Sequence, residues 1–271
     1  MKKIVYSFIW SLILFGSCTS DNDVQPLPLI VHQGNIILKS QADVDAIGAQ
    51  GYNVIDGFLS IGDRASDDHT PVPSDITDLT PLQTIINVTQ QIEIQNNPML
   101  TSLDGLSSLS VVAGFIMNNN ENITSLEGLD RLKTISGNSF VIGQVVLNGG
   151  VISLFNNPSL TSIEAFGSIS LQSLHLVTIN NSGLTSLAGL ETIVGISNLN
   201  IVDNPNLTSL AALERLSALE DGLFVSGNTM LTNYCSLQTA LVDNPELPVF
   251  NVLDNQFNPT LQNIIDGNCS E

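Results

Sequence analysis

Three histidines, a surplus of carboxylates and three cysteines are the side chains of this 271-residue chain able to carry chemistry. Histidine is the usual general base and a frequent metal ligand. His32, His69 and His175 fall at the start of the domain, in an early loop and in a repeat, so their spacing builds neither a metal site nor a nucleophile–base pair. Asp63, Asp67, Asp68 and His69 crowd the loop 62–75 and could hold a calcium ion through their oxygens. They lack the ligand spacing of a calcium loop, and a solvated polar loop is the simpler reading. Two carboxylates about 5 to 9 Å apart would suffice for glycoside hydrolysis, yet nothing selects a pair among the 26 acids. No glycine-rich phosphate loop appears. The expectation is a chain that is not an enzyme and uses no cofactor or metal.

Charge narrows the partners. Seven Lys and Arg against 26 Asp and Glu give a formal charge of −19, which repels phosphate backbones and anionic membrane surfaces alike. Charged residues make up 12% of the chain, about half the usual share. Leu, Ile, Asn, Ser and Thr take their place, the balance of a stacked, repetitive β-rich protein.

The first 17 residues read as a secretory signal: Lys2 and Lys3, an apolar run over 4–15, then Gly16 and Ser17 before Cys18. The small residues before Cys18 resemble the lipobox of bacterial lipoproteins, whose cysteine becomes the lipidated first residue of the mature chain. Phe15 departs from the usual leucine three places before that cysteine, and Leu14 stands one place further out. Behind Cys18, the segment 19–23 with Ser20, Asp21 and Asp23 is similar to the surface-export tether of certain Gram-negative outer-membrane lipoproteins. It also serves as a plain acidic linker. Residues 18–31, with Pro26 and Pro28, form the expected tether. The resemblance implies an outer-membrane lipoprotein exposed at the cell surface, touching the membrane only through its lipid. Cys235 and Cys269 then remain as an even pair in an oxidising compartment, and a disulfide between them is expected. A metal site would need a second ligand pair that is missing.

The elements that must position any site come from a repeat. Thr77, Thr101, Thr124, Thr161, Thr185, Thr208 and Thr232 anchor copies of Leu-Thr-Ser-Leu-like phrases, spaced 24, 23, 37, 24, 23 and 24 residues apart. From the second anchor on, an asparagine stands four places earlier: Asn97, Asn120, Asn157, Asn181, Asn204 and Asn228. Each ends a segment apolar-x-apolar-x-x-Asn, at 92–97, 115–120, 152–157, 176–181, 199–204 and 223–228, with Thr178 the one lapse at an apolar position. A further copy lies at 250–255, and Leu59 with Ile61 marks a degenerate earlier one. This is the leucine-rich-repeat signature. Alternation makes a strand whose first and third side chains point inward, and the asparagine amide satisfies buried backbone at its end. One such coil cannot offset its ordering entropy, so coils must stack and the two ends must be closed. At one end, residues 36–38 read as a strand and 40–43 as a capping box opening a helix, with Val44 and Ile47 inward and Gly51 stopping it. At the other, Asn258-Pro259 opens a helix carrying Leu261, Ile264 and Ile265, with Gly267 after it. One domain, 32–271, follows: N-cap 32–62, repeats about 63–234, C-cap 235–271.

Repeats written Asn-Pro-x-Leu-Thr-Ser-Leu-x-Gly-Leu, at 97–106 and in part at Asn157 and Asn204, resemble the receptor L domain and more closely the bacterial surface lipoproteins built on it. The opening 34–62 and the close over Tyr234-Cys235, Asn258-Pro259-Thr260 and Gly267-Asn268-Cys269 are similar too. The resemblance implies a right-handed leucine-rich-repeat solenoid with a parallel β-sheet, short helical or turn segments, and a short helix capping each end. It implies binding or adhesion, and brings no catalytic residue.

If first and third strand positions face inward, the second and fourth face solvent. Ile116, Phe155, Val177, Ile179, Val202 and Phe224 then form an apolar patch facing an extracellular protein or glycan. The insertion 136–150, with Phe140, Val141 and Ile142, is the alternative cover for that patch. The rival roles are a structural surface coat or assembly protein without a ligand, ice binding by the threonine row and, last, a glycan hydrolase.

Overall fold

A computed structural model describes residues 28–64, 71–135, 137, 140–142, 145–147, 149–170 and 172–271. The chain opens with β1 (Val31–Gln33), β2 (Ile36–Leu38), α1 (Gln41–Gly48), β3 (Val54–Asp56) and β4 (Leu59–Ile61). Short and longer strands then alternate: β5 (Asn87–Val88), β6 (Gln91–Gln95), β7 (Val111–Val112), β8 (Gly114–Asn118) and β9 (Thr134–Ile135). A hairpin of β10 (Phe140–Ile142) and β11 (Val145–Leu147) precedes β12 (Gly150–Asn157), β13 (Gln172–Ser182), β14 (Ile193–Val202) and β15 (Ala218–Ser226). The last elements are α2 (Gln238–Asp243), β16 (Val249–Leu253) and α3 (Leu261–Ile265).

Nine strands form one parallel sheet in the order β16-β15-β14-β13-β12-β8-β6-β4-β2, and β1, β3, β5, β7 and β9 form a second. Each strand therefore pairs with the strand one coil away, the arrangement of a solenoid-like fold. The register runs Ile92↔Phe115↔Ile152↔Val177↔Leu199↔Leu223↔Phe250. From Ile92 to Leu223 these residues are fully buried. The leucines of the turns complete the core: Leu100, Leu103, Leu106 and Leu109, all from one repeat, are buried in it. Phe115 and Phe166 meet edge to face across it, 5.3 Å between centroids.

The register corrects one expected strand. In β13 the inward residues are Val177 and Ile179, and the corner position opposite Asn157 is Ser182, not Asn181. Thr178 is no lapse, because it lies on the outer face. The cause is a one-residue shortening: Asn157-Pro158-Ser159-Leu160 becomes Ser182-Gly183-Leu184 in the next coil. The threonine spacing survives while the strand frame slides by one, and such a slide moves every side chain to the other face. Gly183 allows the tighter turn, since a Cβ there would press on the Pro158 carbonyl.

At the amino end of the large sheet, Ser40 caps α1 in the expected capping box with Asp43, and Val44 is buried beneath the helix. At the other end α3 starts later than expected: Thr260 is its cap, paired with Asn263. Asn258 instead accepts from the Asn255 backbone amide at 2.9 Å. The unforeseen α2 packs against α3 and β15. Cys235 and Cys269 form a disulfide with Cα atoms 4.9 Å apart.

Candidate ligand-binding face

Two rows of asparagine run along the carboxyl ends of the strands of the large sheet. In the inner row, Asn157 Nδ2 donates to the carbonyls of Met117 (2.8 Å) and Phe155 (3.1 Å), and its Oδ1 accepts the Asn120 amide N–H at 3.0 Å. Asn97, Asn120, Asn204 and Asn228 are likewise fully buried, and Asn255 extends the row. Ser182 fills the gap by donating its hydroxyl to Asn204 Oδ1 at 2.6 Å. Asn181 belongs to an outer row. Its Nδ2 donates to Asn156 Oδ1, Asn156 to Asn119, and Asn119 to Asn96, at 2.7 to 2.9 Å. These outer residues have φ of 50° to 56°, the left-handed conformation that asparagine tolerates. The sequence signal for the outer row is the doublet: Asn96-Asn97, Asn119-Asn120, Asn156-Asn157, then Asn181-Ser182.

The turn side of each coil explains the Thr-Ser pairs. Ser102, Ser125, Ser162, Ser186 and Ser209 each accept through Oγ from the backbone N–H two residues on, at 3.0 to 3.3 Å. The serines thus secure local turns. Thr161 Oγ1 donates to the Thr124 carbonyl of the preceding coil at 3.1 Å.

The outer face of the large sheet has two halves. Over β4, β6 and β8 it is closed. Glu93, expected in solvent, is 1% exposed, and Gln95 is also buried. Arg64 pairs with the Glu93 carboxylate at 2.6 Å, and Gln91 and Gln95 donate amide hydrogens to it at 3.0 and 2.7 Å. The Arg64 guanidinium also lies 4.5 Å from the centroid of the Phe58 ring. A carboxylate so neutralised and saturated is held as structure. Ile116, in the same row, is buried as well.

Over β12 to β16 the face is open. Register places Phe155, Asn180, Val202, Ser226 and Leu253 in one row and Ser153, Thr178, Asn200, Phe224 and Asn251 in the adjacent one. Phe155 is 48% exposed and Leu253 39%; Val202 and Phe224 are half-buried. Asn200 Nδ2 donates to Thr178 Oγ1 at 3.2 Å, orienting the amide within the face. Of the six expected patch residues the structure brings Phe155, Val202 and Phe224 to this surface. Val177 and Ile179 are core, by the slide described above, and Ile116 is covered. The side chains of the hairpin that would test the alternative cover lie outside the described residues.

The remaining expected sites resolve as follows. Asp63 is buried, pairs with Lys39 at 2.8 Å and accepts the Val72 N–H at 3.0 Å. Asp75 accepts the Gln41 N–H at 2.8 Å. Asp67, Asp68 and His69 lie outside the described residues, as do residues 1–17 and Cys18. Among the described residues no three His, Cys, Asp or Glu side chains gather as a metal site, and no helix is long and apolar enough to cross a membrane. His32 packs edge-on against Tyr52, centroids 5.1 Å apart.

A family model, the Receptor L domain, matches residues 53–165. That span is less than half of the chain, runs from β3 to the turn Glu164–Ser168, and suggests a ligand-binding extracellular module. No curated protein and no solved structure matches the chain.

Proposed function

We propose that this chain is a non-enzymatic, lipid-anchored cell-surface module that binds an extracellular protein or glycan through the outer face of β12 to β16. The observation that carries the reading is the open half of the sheet: Phe155, Val202, Phe224 and Leu253 stand partly exposed among Ser153, Asn180 and Asn200. Exposed aromatic side chains supply affinity at low entropy cost, and fixed amides supply direction. The Receptor L domain match over 53–165 supports a binding role in general. In this reading Cys18 carries the lipid, the residues from 19 to the pairing of Ile30 and Val31 with the segment 53–54 form the tether, shorter by two residues than expected, and α1 and α3 close the two ends of the coil.

The test is a binding screen of the chain against arrays of extracellular-matrix proteins and glycans, with Phe155→Ser/Phe224→Ser beside the wild type. Saturable binding lost in the variant, with an unchanged melting temperature, supports the reading. Binding indifferent to both substitutions overturns the assignment of the face. No binding at high micromolar concentration favours a surface coat.

A further inference from the structure

The two ends of the large sheet are not closed alike. At the amino end the inward residues of β2, Ile36 and Leu38, are buried beside α1. At the carboxyl end the inward residues of β16, Phe250 and Val252, are partly exposed, unlike those of every other strand in the sheet. Val249 and Leu253 on the outer face are 53% and 39% exposed. No described strand lies beyond β16. The Leu253 carbonyl accepts the Gly227 N–H of the preceding coil at 3.3 Å. Backbone direction alternates along a parallel strand, so the N–H and C=O groups of Phe250 and Val252 point out of the sheet edge. Natural edge strands are guarded by charge, proline or a cover. Here Pro248 and Asp254 only flank an uncharged Val-Phe-Asn-Val-Leu strand.

We propose that β16 pairs antiparallel with β16 of a second copy of this chain, about a two-fold axis at Asn251. The occupant follows from the sequence of the edge, which is symmetric in character about that residue. Antiparallel self-pairing sets Val249 against the partner's Leu253, Phe250 against the partner's Val252, and amide against amide at the centre. Asp254 then faces the partner's Pro248, so the strand ends oppose no like charges. Phe250 and Val252 form hydrogen-bonded pairs, four backbone bonds in all, leaving Asn251 in the non-hydrogen-bonded position where side chains stand closest. Pairing also covers the exposed inward side chains of both copies. Edge contact alone is small, and association in the micromolar range fits it. Both copies are strongly acidic, so added salt strengthens the dimer.

Sedimentation equilibrium of the full chain, in a Cys18→Ser background, tests this. The expected result is a reversible dimer favoured by salt. It is lost in Val252→Pro, which removes an outward N–H, trims an inward side chain that packs against the core and leaves the N–H groups facing β15 in place. Asn251→Cys should give a covalent dimer on oxidation, because the two-fold brings the same residue of each copy within disulfide reach. Val249→Cys, opposite the partner's Leu253, should not. A monomer at every concentration overturns the proposal, as does a dimer unaffected by Val252→Pro or equal cross-linking at the two positions. If Val252→Pro fails to fold, the cysteine comparison decides alone.

Discussion

Asn157 makes four hydrogen bonds from a buried side chain, and its truncation deprives the Met117 carbonyl, the Asn120 backbone N–H and the Asn120 side-chain amide of a partner in the core. Each abandoned group costs about 1 to 3 kcal/mol, so Asn157→Ala is expected to lose about 3 kcal/mol or more in urea denaturation at unchanged m. Asn181 has the same residue type and sits in the outer row, exposed, at φ 50°. Asn181→Ala should lose only about 1 kcal/mol, chiefly left-handed backbone strain, and Asn181→Gly less still. Equal costs at 157 and 181 would contradict the two-row assignment. Tyr234 is buried, and its hydroxyl donates to the Phe257 carbonyl at 3.0 Å. Burial pushes its ionisation well above the ordinary value of 10.0. The unfolded chain therefore releases this proton first as pH rises, and stability is lost progressively above about pH 10. Thermal melts between pH 9 and 11 should show a fall that Tyr234→Phe lessens.

At the scale of the strand, the slide in β13 separates residues the sequence places together. Val177→Asp buries an uncompensated charge and should unfold the protein, whereas Phe155→Asp, on the exposed row, should leave the melting temperature nearly unchanged. Circular dichroism melts of the two variants decide. The repeat made most strands legible, because apolar alternation and a terminal asparagine report the same inward direction twice. At β13 the two cues conflict. The frame set by Asn181 and Thr185 is one residue out, and the alternation of Val177 and Ile179 was the truer guide. The apolar residues of the face are legible in part: alternation gives Phe155, Val202 and Phe224, whereas Leu253, in the copy at 250–255, falls outside the expected patch. The closed half was illegible, since nothing local in Gln-Ile-Glu-Ile-Gln announces that Arg64, 29 residues before Glu93, neutralises it. The helix α2 escaped because its six residues carry too short a periodic signal.

Across the whole molecule, stacked coils pass stability from neighbour to neighbour, and the carboxyl end depends on the bridge across 34 residues between Cys235 and Cys269. Its reduction should lower stability by about 3 to 4 kcal/mol in the chain-entropy model. Amide exchange should quicken first in α2, β16 and α3. Exchange accelerated evenly along the sheet would mean that the coils melt as a single unit and the bridge is not local. The same end carries the open half of the sheet face, so if that face binds as proposed the reduced protein should also bind less well. Binding by the face itself is the most direct measurement: wild type against Phe155→Ser/Phe224→Ser on extracellular-matrix and glycan arrays, with melting curves in parallel. Saturable binding by the wild type, lost in the variant without loss of fold, is the expected result. Equal binding by both proteins would contradict it.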